Sequence, residues 1–220
     1  MNAQKIKLLS AVIAGILMSL LIGGCNLLAF PMYAMNANKT KKVLPEYSGL
    51  PGKKVCIWVW ADESLMFDYP AIRLDIANHV KYFLNQHVKC EIIDPDVVEK
   101  YRKSNYQVDV LSPVEIGKHF GADVVLFIEV SDFGTQMPDS PELLQGRLSA
   151  HCVLYDCKGN LSVTSTRRKL WSGNINIVYP ENRPVSISQM NALALRSIVL
   201  KLFGENLAKR FYEHREPIPR

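Results

Sequence analysis

Two short segments are apolar at nearly every position, and they constrain the fold more than any other feature of the chain. They are residues 55–60 (VCIWVW) and residues 122–130 (ADVVLFIEV). A strand with two apolar faces must be covered on both sides, as in parallel or mixed sheets whose faces carry helices. We therefore expect both segments to be central strands of one sheet.

Three helix signals lie between these two strands. A first helix is predicted to begin near Asp68, and a second at Asp94, after a short strand at residues 90–93. A third is predicted at Ser112, which can form a capping box with Glu115. This alternation of strand and helix is typical of an α/β domain.

The second half of the chain predicts antiparallel strands. A loop is expected over residues 131–146, and residues 132–144 are the best candidate for a variable functional surface, because loops often carry function. Residues 147–155 alternate between apolar and polar side chains, as in a strand with one buried face. A turn near residues 158–160 and a return strand at residues 169–179 should follow.

A last helix is predicted from Ser186, where Gln189 would complete a capping box, to about residue 212. Its apolar residues fall into two seams: Leu195, Val199 and Leu202 in one, and Leu193, Leu200, Leu207 and Phe211 in the other. Because one sheet buries only one seam, the second is either part of a broad core stripe or a surface for a partner or a dimer.

Together these elements predict an α/β (α+β) domain of two or three layers. Its mixed sheet is expected to have parallel strands first, then an antiparallel meander, with helices on the faces. The composition agrees, since 48% of the residues are hydrophobic and 21% are charged. The net charge of +5 falls to +3 when Lys5 and Lys7 are discounted with the leader described next, which is too mild to indicate a nucleic-acid partner.

The first 25 residues follow the pattern of a bacterial secretory leader. Lys5 and Lys7 give a positive start, an apolar stretch follows, and small residues precede Cys25. Residues 22–25 (IGGC) resemble a lipobox, in which the cysteine receives a diacylglyceryl thioether before cleavage. We predict cleavage between Gly24 and Cys25, with the lipid on Cys25 as the membrane attachment.

Two other interpretations of the leader stay open: an uncleaved membrane anchor and a buried helix that happens to contain a cysteine. The lipobox interpretation divides the chain into a signal peptide (1–24), a lipidated cysteine with a linker (25–52), and a single α/β globular domain (53–220). Asn26 follows the cysteine, and under enterobacterial sorting rules a residue other than Asp favours the outer membrane.

Four cysteines besides Cys25 raise the question of disulfides in an exported protein. Cys56 and Cys90 are near the starts of two strands expected to be parallel neighbours, so a bridge between them is geometrically feasible. Buried free thiols are the alternative. Cys152 and Cys157 are expected on opposite sides of a regular strand.

The sequence contains no familiar catalytic motif. A Walker phosphate loop, a dinucleotide-binding glycine triplet, a nucleophile elbow and a zinc-protease helix motif are all missing. None of the five histidines has a second ligand at a metal-binding spacing, so we expect no metal and no cofactor. The enzyme alternative is an envelope hydrolase or transferase that uses carboxylates after two buried strands, namely Asp62, Glu63 and Asp132.

Several short segments resemble uncharacterised planctomycete lipoproteins. They are residues 50–55 (LPGKKV), 70–84, 93–95 (IDP) and 121–125 (GADVV). More broadly, residues 50–212 look similar to the α/β domains of the penicillin-binding-protein activator lipoproteins, the amino-terminal domain of TolB and the curli secretion lipoproteins. The chain lacks the long proline-rich tether, the propeller repeats and the added amphipathic strands of those groups, so their specific activities do not transfer.

The resemblance implies a domain that binds other proteins in the periplasm or forms rings. Our functional prediction is therefore a lipid-anchored, non-catalytic envelope lipoprotein that acts as a protein-binding or assembly module. Its expected partners are the membrane, through Cys25, unidentified envelope proteins, and further copies of the chain in a homo-oligomer.

Overall fold

A computed structural model of the chain describes residues 40–105, 107–137, 139–158 and 168–218. Its elements, in chain order, are β1 (Thr40–Val43), β2 (Lys54–Trp60), α1 (Glu63–Asp68), α2 (Ile72–His87), β3 (Glu91–Ile92), α3 (Pro95–Ser104), α4 (Pro113–His119), β4 (Val124–Met137), β5 (Ser140–Asp156), β6 (Lys169–Tyr179), β7 (Val185–Ser186), α5 (Ala192–Ala208) and β8 (His214–Pro217). Two 3-10 turns, Val108–Val110 and Lys209–Phe211, complete the set.

One six-stranded sheet organises the main compact unit, Leu44–His214. Its strand order is β3-β2-β4-β5-β6, and β7 pairs with the start of β5. The strand β2 is parallel to both β3 and β4, whereas β4, β5 and β6 are mutually antiparallel. The predicted mixed sheet, with parallel strands first and an antiparallel meander after them, is confirmed.

Each face of this sheet carries its own hydrophobic cluster. Alternate residues of β2 divide between them, with Ile57 and Val59 in the larger cluster and Cys56 and Trp58 in the smaller one. The helices α2 and α5 cover the larger cluster, and α3 and α4 cover the smaller one. Burial on both faces explains why the β2 sequence is apolar throughout.

The loop predicted over residues 131–146 is wrong. The strand β4 continues to Met137, β5 starts at Ser140, and the two pair as a long hairpin. Three register irregularities interrupt this ladder, between Val130 and Asp132, between Gly134 and Gln136, and between Gln136 and Met137. Residues 132–144, the predicted functional loop, therefore lie mostly in paired strands.

The first helical region also differs from the prediction. Asp68 ends the short helix α1 and does not begin a long one. The long helix α2 begins at Ile72, without a side-chain cap. The later signals are confirmed: Asp94 caps α3, and Ser112 forms the expected capping box with Glu115 at the start of α4.

The last helix begins later than predicted. The side chain of Asn191 caps α5 by accepting a hydrogen bond from the backbone N–H of Ala194, at 2.8 Å. Ser186 pairs with Leu143 as part of β7, and the side chain of Gln189 accepts from the Ser186 N–H at 3.4 Å. The predicted capping pair of Ser186 and Gln189 therefore forms a hydrogen bond, but in a turn before the helix and not at the helix start.

Both apolar seams of α5 are mostly buried. One faces the sheet, and the other packs against α2, so a second helix covers what the sheet cannot. Gly204 marks the close approach of the two helices, because a Cβ there would lie 2.8 Å from the carbonyl oxygen of His79. Leu193 is the exception, with 75% of its surface exposed.

The segment that leads into the sheet is clamped to the rest of the unit. The N–H groups of Glu46 and Tyr47 donate to the carbonyl oxygen of Arg210, at 2.8 and 3.2 Å. The indole N–H of Trp171, on β6, donates to the Glu46 carboxylate at 2.8 Å, and Leu50 is fully buried. Residues 44–50 thus form an entry clamp, although the linker was predicted to extend to residue 52.

A second unit contains the described residues 40–43 and 215–218. Its β1 pairs with β8 in a two-stranded sheet. In neither unit does the described chain contain a helix of the length and hydropathy needed to cross a membrane.

Candidate interaction site at the open edge of the sheet

The predicted lipidation site lies outside the described residues. Gly24 and Cys25 belong to the first 39 residues, which the structure does not describe. Cleavage between them and lipid attachment to Cys25 stay predictions.

The two cysteines considered for a disulfide pack against opposite faces of the sheet. Cys56 is fully buried in the smaller cluster, whereas Cys90 is half-buried against the larger one. Burial raises the pKa of the Cys56 thiol to about 12 and that of Cys90 to about 11. The disulfide stays a prediction, and buried free thiols stay the alternative.

The carboxylates of the enzyme alternative have structural contacts. Asp62 caps α1: its carboxylate accepts a hydrogen bond from the Leu65 N–H at 2.7 Å. This hydrogen bond lowers the pKa of the Asp62 carboxyl group. Asp132 forms an ion pair with Arg147 at 3.2 Å on the neighbouring strand. Glu63 lies in the first turn of α1, where a negative charge favours the helix dipole. Asp62 and Asp132 thus have structural partners, and Glu63 has a favourable position at the start of the helix.

The histidines have local partners as well. The Nδ1 atom of His79 lies 2.8 Å from the carbonyl oxygen of Asp75, and the His119 ring stacks on Tyr101 with 4.0 Å between the centroids. Over the described ranges, no group of three or more His, Cys, Asp or Glu side chains is arranged to hold a metal ion.

The main opening in the architecture is the outer edge of β6. This strand has eleven residues, and β5 pairs with one side of it. No strand of the described chain pairs with its other side. An unpaired edge presents a row of backbone N–H and C=O groups that can add a further strand.

Apart from Lys169 at its start, the sequence of this edge has none of the features that usually block strand addition. Residues 170–179 (LWSGNINIVY) contain no charged residue and no proline. Natural edge strands are commonly protected by lysine, proline, inward-pointing charges or a very short length. The opposite edge of the sheet, β3, follows that rule, because it has only two residues.

The side chains of β6 alternate between the two faces of the sheet. Trp171, Ile175 and Ile177 are buried on the α5 side. Asn174 and Asn176 are exposed on the other side. The strand is therefore firmly held on one face, and no strand of the described ranges covers its outer edge.

A groove of about 510 Å³ lies beside this edge. Its floor includes Ile177 and Tyr179 of β6, and its wall includes Leu202 and Asn206 of α5. Leu202 and Asn206 are four residues apart and share one helix face. An added strand would place alternate side chains over this groove, which combines apolar and amide groups and is also lined by Glu181.

Part of the signal for this site is local. The return strand at residues 169–179 was predicted with the bounds that the structure shows, and the absence of charge from Leu170 to Tyr179 is a property of the sequence itself. Its position at the edge depends on the order of strands in the sheet, which the local pattern does not contain.

Comparison with known proteins gives likenesses of fold only. No protein-family model and no curated protein matches the chain. Among solved structures, the PelC dodecamer from Paraburkholderia phytofirmans matches with 11% identity and a TM-score of 0.43, over 80% of this chain and 99% of that one. Lipoprotein GNA1162 from Neisseria meningitidis matches with 20% identity and a TM-score of 0.38, over 69% and 98%.

TolB from Acinetobacter baumannii, a protein named by the sequence resemblance, is also similar in structure. It matches with 13% identity and a TM-score of 0.28, over 76% of this chain and 32% of that one. The predicted group is thus represented among the similar structures, and the resemblance to planctomycete lipoproteins stays a prediction. All three TM-scores are below 0.5, so none of these likenesses assigns an activity or a partner to the chain.

Proposed function

We propose that the chain is a lipid-anchored, non-catalytic module of the bacterial cell envelope that binds another protein by strand addition along β6. The observation that carries the binding role is the eleven-residue open edge, which is free of charge from Leu170 to Tyr179 and has a groove beside it. In strand addition, backbone hydrogen bonds supply affinity, and pockets beside the edge supply specificity.

The lipid anchor rests on the leader sequence. In this proposal Cys25 carries the lipid after cleavage at Gly24, and Asn26 directs the protein to the outer membrane, where the domain faces the periplasm. Anchoring confines the domain to the surface that holds its partners, so a weak interface is sufficient for binding.

The first part of the test is location and capture in intact bacterial cells. The tagged full-length protein is cross-linked, and the captured species are identified by mass spectrometry, with Cys25→Ser as the control for anchoring. The anchored protein should fractionate with the membrane and give reproducible cross-linked species. Cys25→Ser should lose both properties.

The second part tests the edge. Asn176→Lys places a charge in the exposed row of β6 without loss of a side-chain hydrogen bond among the described residues, and Gln107→Lys adds the same charge at an exposed position in another region. We expect Asn176→Lys to stay at the membrane and lose its cross-linked species, whereas Gln107→Lys keeps both. Equal capture by the two variants would show that β6 is not the binding edge.

A further inference from the structure

We infer that the strand added to β6 is β6 of a second copy of this chain, paired antiparallel about a two-fold axis at Asn174. This inference rests on the proposed function, because it names the occupant of the same edge. Two-fold pairing is the commonest way in which identical subunits associate, and it requires a surface that is complementary to itself.

The sequence of β6 meets that requirement in one register. With Asn174 opposite its own copy, Ser172 lies opposite Asn176, so the exposed face pairs polar side chains with polar side chains. Shifting the axis by one residue toward Ile175 would place Ser172 opposite Val178, and shifting it toward Gly173 would place Leu170 opposite Asn176. The register about Asn174 is therefore the best matched of the three.

The buried face agrees with the same register. Trp171 would lie opposite Ile177, and Gly173 opposite Ile175. Pairs of an aromatic and a β-branched residue are among the favourable cross-strand neighbours in antiparallel sheets. The bulky residues of one copy thus meet residues of the other copy that can accommodate them.

The ends of the strand fit too. The ladder with β5 is regular from Trp171 to Tyr179 and has an irregularity between Trp171 and Lys169. Leu170 and Val178, which are 39% and 41% exposed, would approach each other at the two ends of the shared segment. Both lose exposed apolar surface in the pair, and neither brings a charge.

Neutrality near the axis permits pairing with another copy. A charge at the axis would meet its own image, and directly opposed like charges destabilise strand pairs. Residues 170–179 carry no charge, and Lys169 at the start of β6 would lie opposite Tyr179, at the end of the shared segment. In this register Trp171 of the second copy would lie opposite Ile177, beside the groove that Leu202 lines.

Single cysteines test both the partner and the register. Residues directly opposite in antiparallel strands have Cβ atoms about 4.5–5.5 Å apart, close to the span of a disulfide, whereas residues four positions apart along a strand are separated by about 13 Å. In the full-length protein in cells, oxidised Asn174→Cys should form a reducible homodimer. Ser172→Cys alone and Asn176→Cys alone should form several-fold less.

Mixing the two control variants supplies the decisive arm. When Ser172→Cys and Asn176→Cys chains with different tags are expressed together, a disulfide should join one to the other, because these positions face each other across the axis. This co-expression experiment leaves Asn174 intact, so the register can still be tested if Asn174→Cys folds poorly. The native Cys56, Cys90, Cys152 and Cys157 are buried or half-buried, and wild-type chains give the background.

Each outcome separates the two proposals. Homodimers in the predicted pattern support the inference. Equal self-linking by all three single variants overturns the register. If Asn174→Cys forms a disulfide with a different protein, the inference that the partner is a second copy is refuted, whereas the proposal of strand addition along β6 is retained. If no variant forms a disulfide and Asn176→Lys captures the same species as wild type, both proposals fall.

Discussion

Gly146 sets how closely α5 approaches the sheet beside the proposed edge. It lies on β5 opposite Tyr179 of β6, and a Cβ at this position would be 2.3 Å from a methyl carbon of Val199 and 3.1 Å from Leu195. Carbon atoms in contact prefer a separation of about 3.5–4.0 Å. Gly146→Ala therefore requires α5 or β5 to move by about 1 Å.

Two opposing terms determine the stability of Gly146→Ala. Overpacking of a well-filled core costs about 1–3 kcal/mol. Replacing glycine with alanine in a strand returns about 0.5–1 kcal/mol, because the unfolded chain loses less entropy on folding. We expect a net loss of about 1–2 kcal/mol in the free energy of unfolding. The control Ser149→Ala, on the other face of β5, should change it by less than about 0.5 kcal/mol.

A double-mutant cycle with Val199→Ala isolates the contact. Urea unfolding followed by tryptophan fluorescence gives the four free energies, because Trp58 and Trp171 are buried. Removing the Val199 methyl groups makes room for the new Cβ, so the double variant should be more stable than the sum of the single losses by about 1 kcal/mol. Additive losses, or a neutral Gly146→Ala, would refute the role assigned to the close approach.

Two further predictions concern titratable groups. Asp123 accepts hydrogen bonds from the Lys158 ammonium at 2.7 Å and the Lys54 N–H at 2.9 Å, which lower its pKa. The stabilisation of the folded state by ionised Asp123 is fully present above the pKa of about 4 that the carboxyl has in the unfolded chain. It is lost as the pH falls through the lower pKa of the folded state. The urea midpoint should therefore drop less between pH 7 and pH 3 for Asp123→Asn than for wild type. Burial raises the pKa of Cys56 and Cys152 to about 12 and of Cys90 and Cys157 to about 11. All four thiols should react slowly with iodoacetamide at pH 8 in the native protein. In denaturant without reductant all four should react completely, whereas modification of only two of them would indicate a disulfide.

Local signals predicted much of the fold. The apolar pattern of residues 55–60 defined β2, alternation over residues 147–155 indicated a strand within β5, and the Ser112 capping box defined the start of α4. Each of these signals lies within a few residues and depends little on the rest of the chain. These elements therefore followed from the sequence alone.

The hairpin of β4 and β5 was missed because its glycines were attributed to a loop. Their roles come from contacts distant in sequence. A Cβ on Gly134 would lie 2.9 Å from the Arg147 side chain, and one on Gly146 would enter the space of Val199. A single sequence does not show which neighbour requires a glycine, so strand glycines and loop glycines look alike.

The candidate site was predictable only in part, for a similar reason. The neutral character of β6 is local, but its exposure is a property of the whole sheet: the same strand placed between two others would have no free edge. In the final helix, a feature that looked exposed from the local pattern is buried by a distant element. Its second seam, which includes Leu200 and Leu207, was considered as a dimer surface, yet α2 buries it.

The entry clamp has a mechanical consequence. Within the main compact unit, a pull along the chain toward its N-terminus loads Glu46 before β2, and this residue is held both by the backbone of Arg210 and by Trp171 of β6. Behind it, Leu50 must leave the core before β2 is loaded. Tension is therefore shared between the 3-10 turn that follows α5 and the start of the edge strand before any strand of the sheet separates.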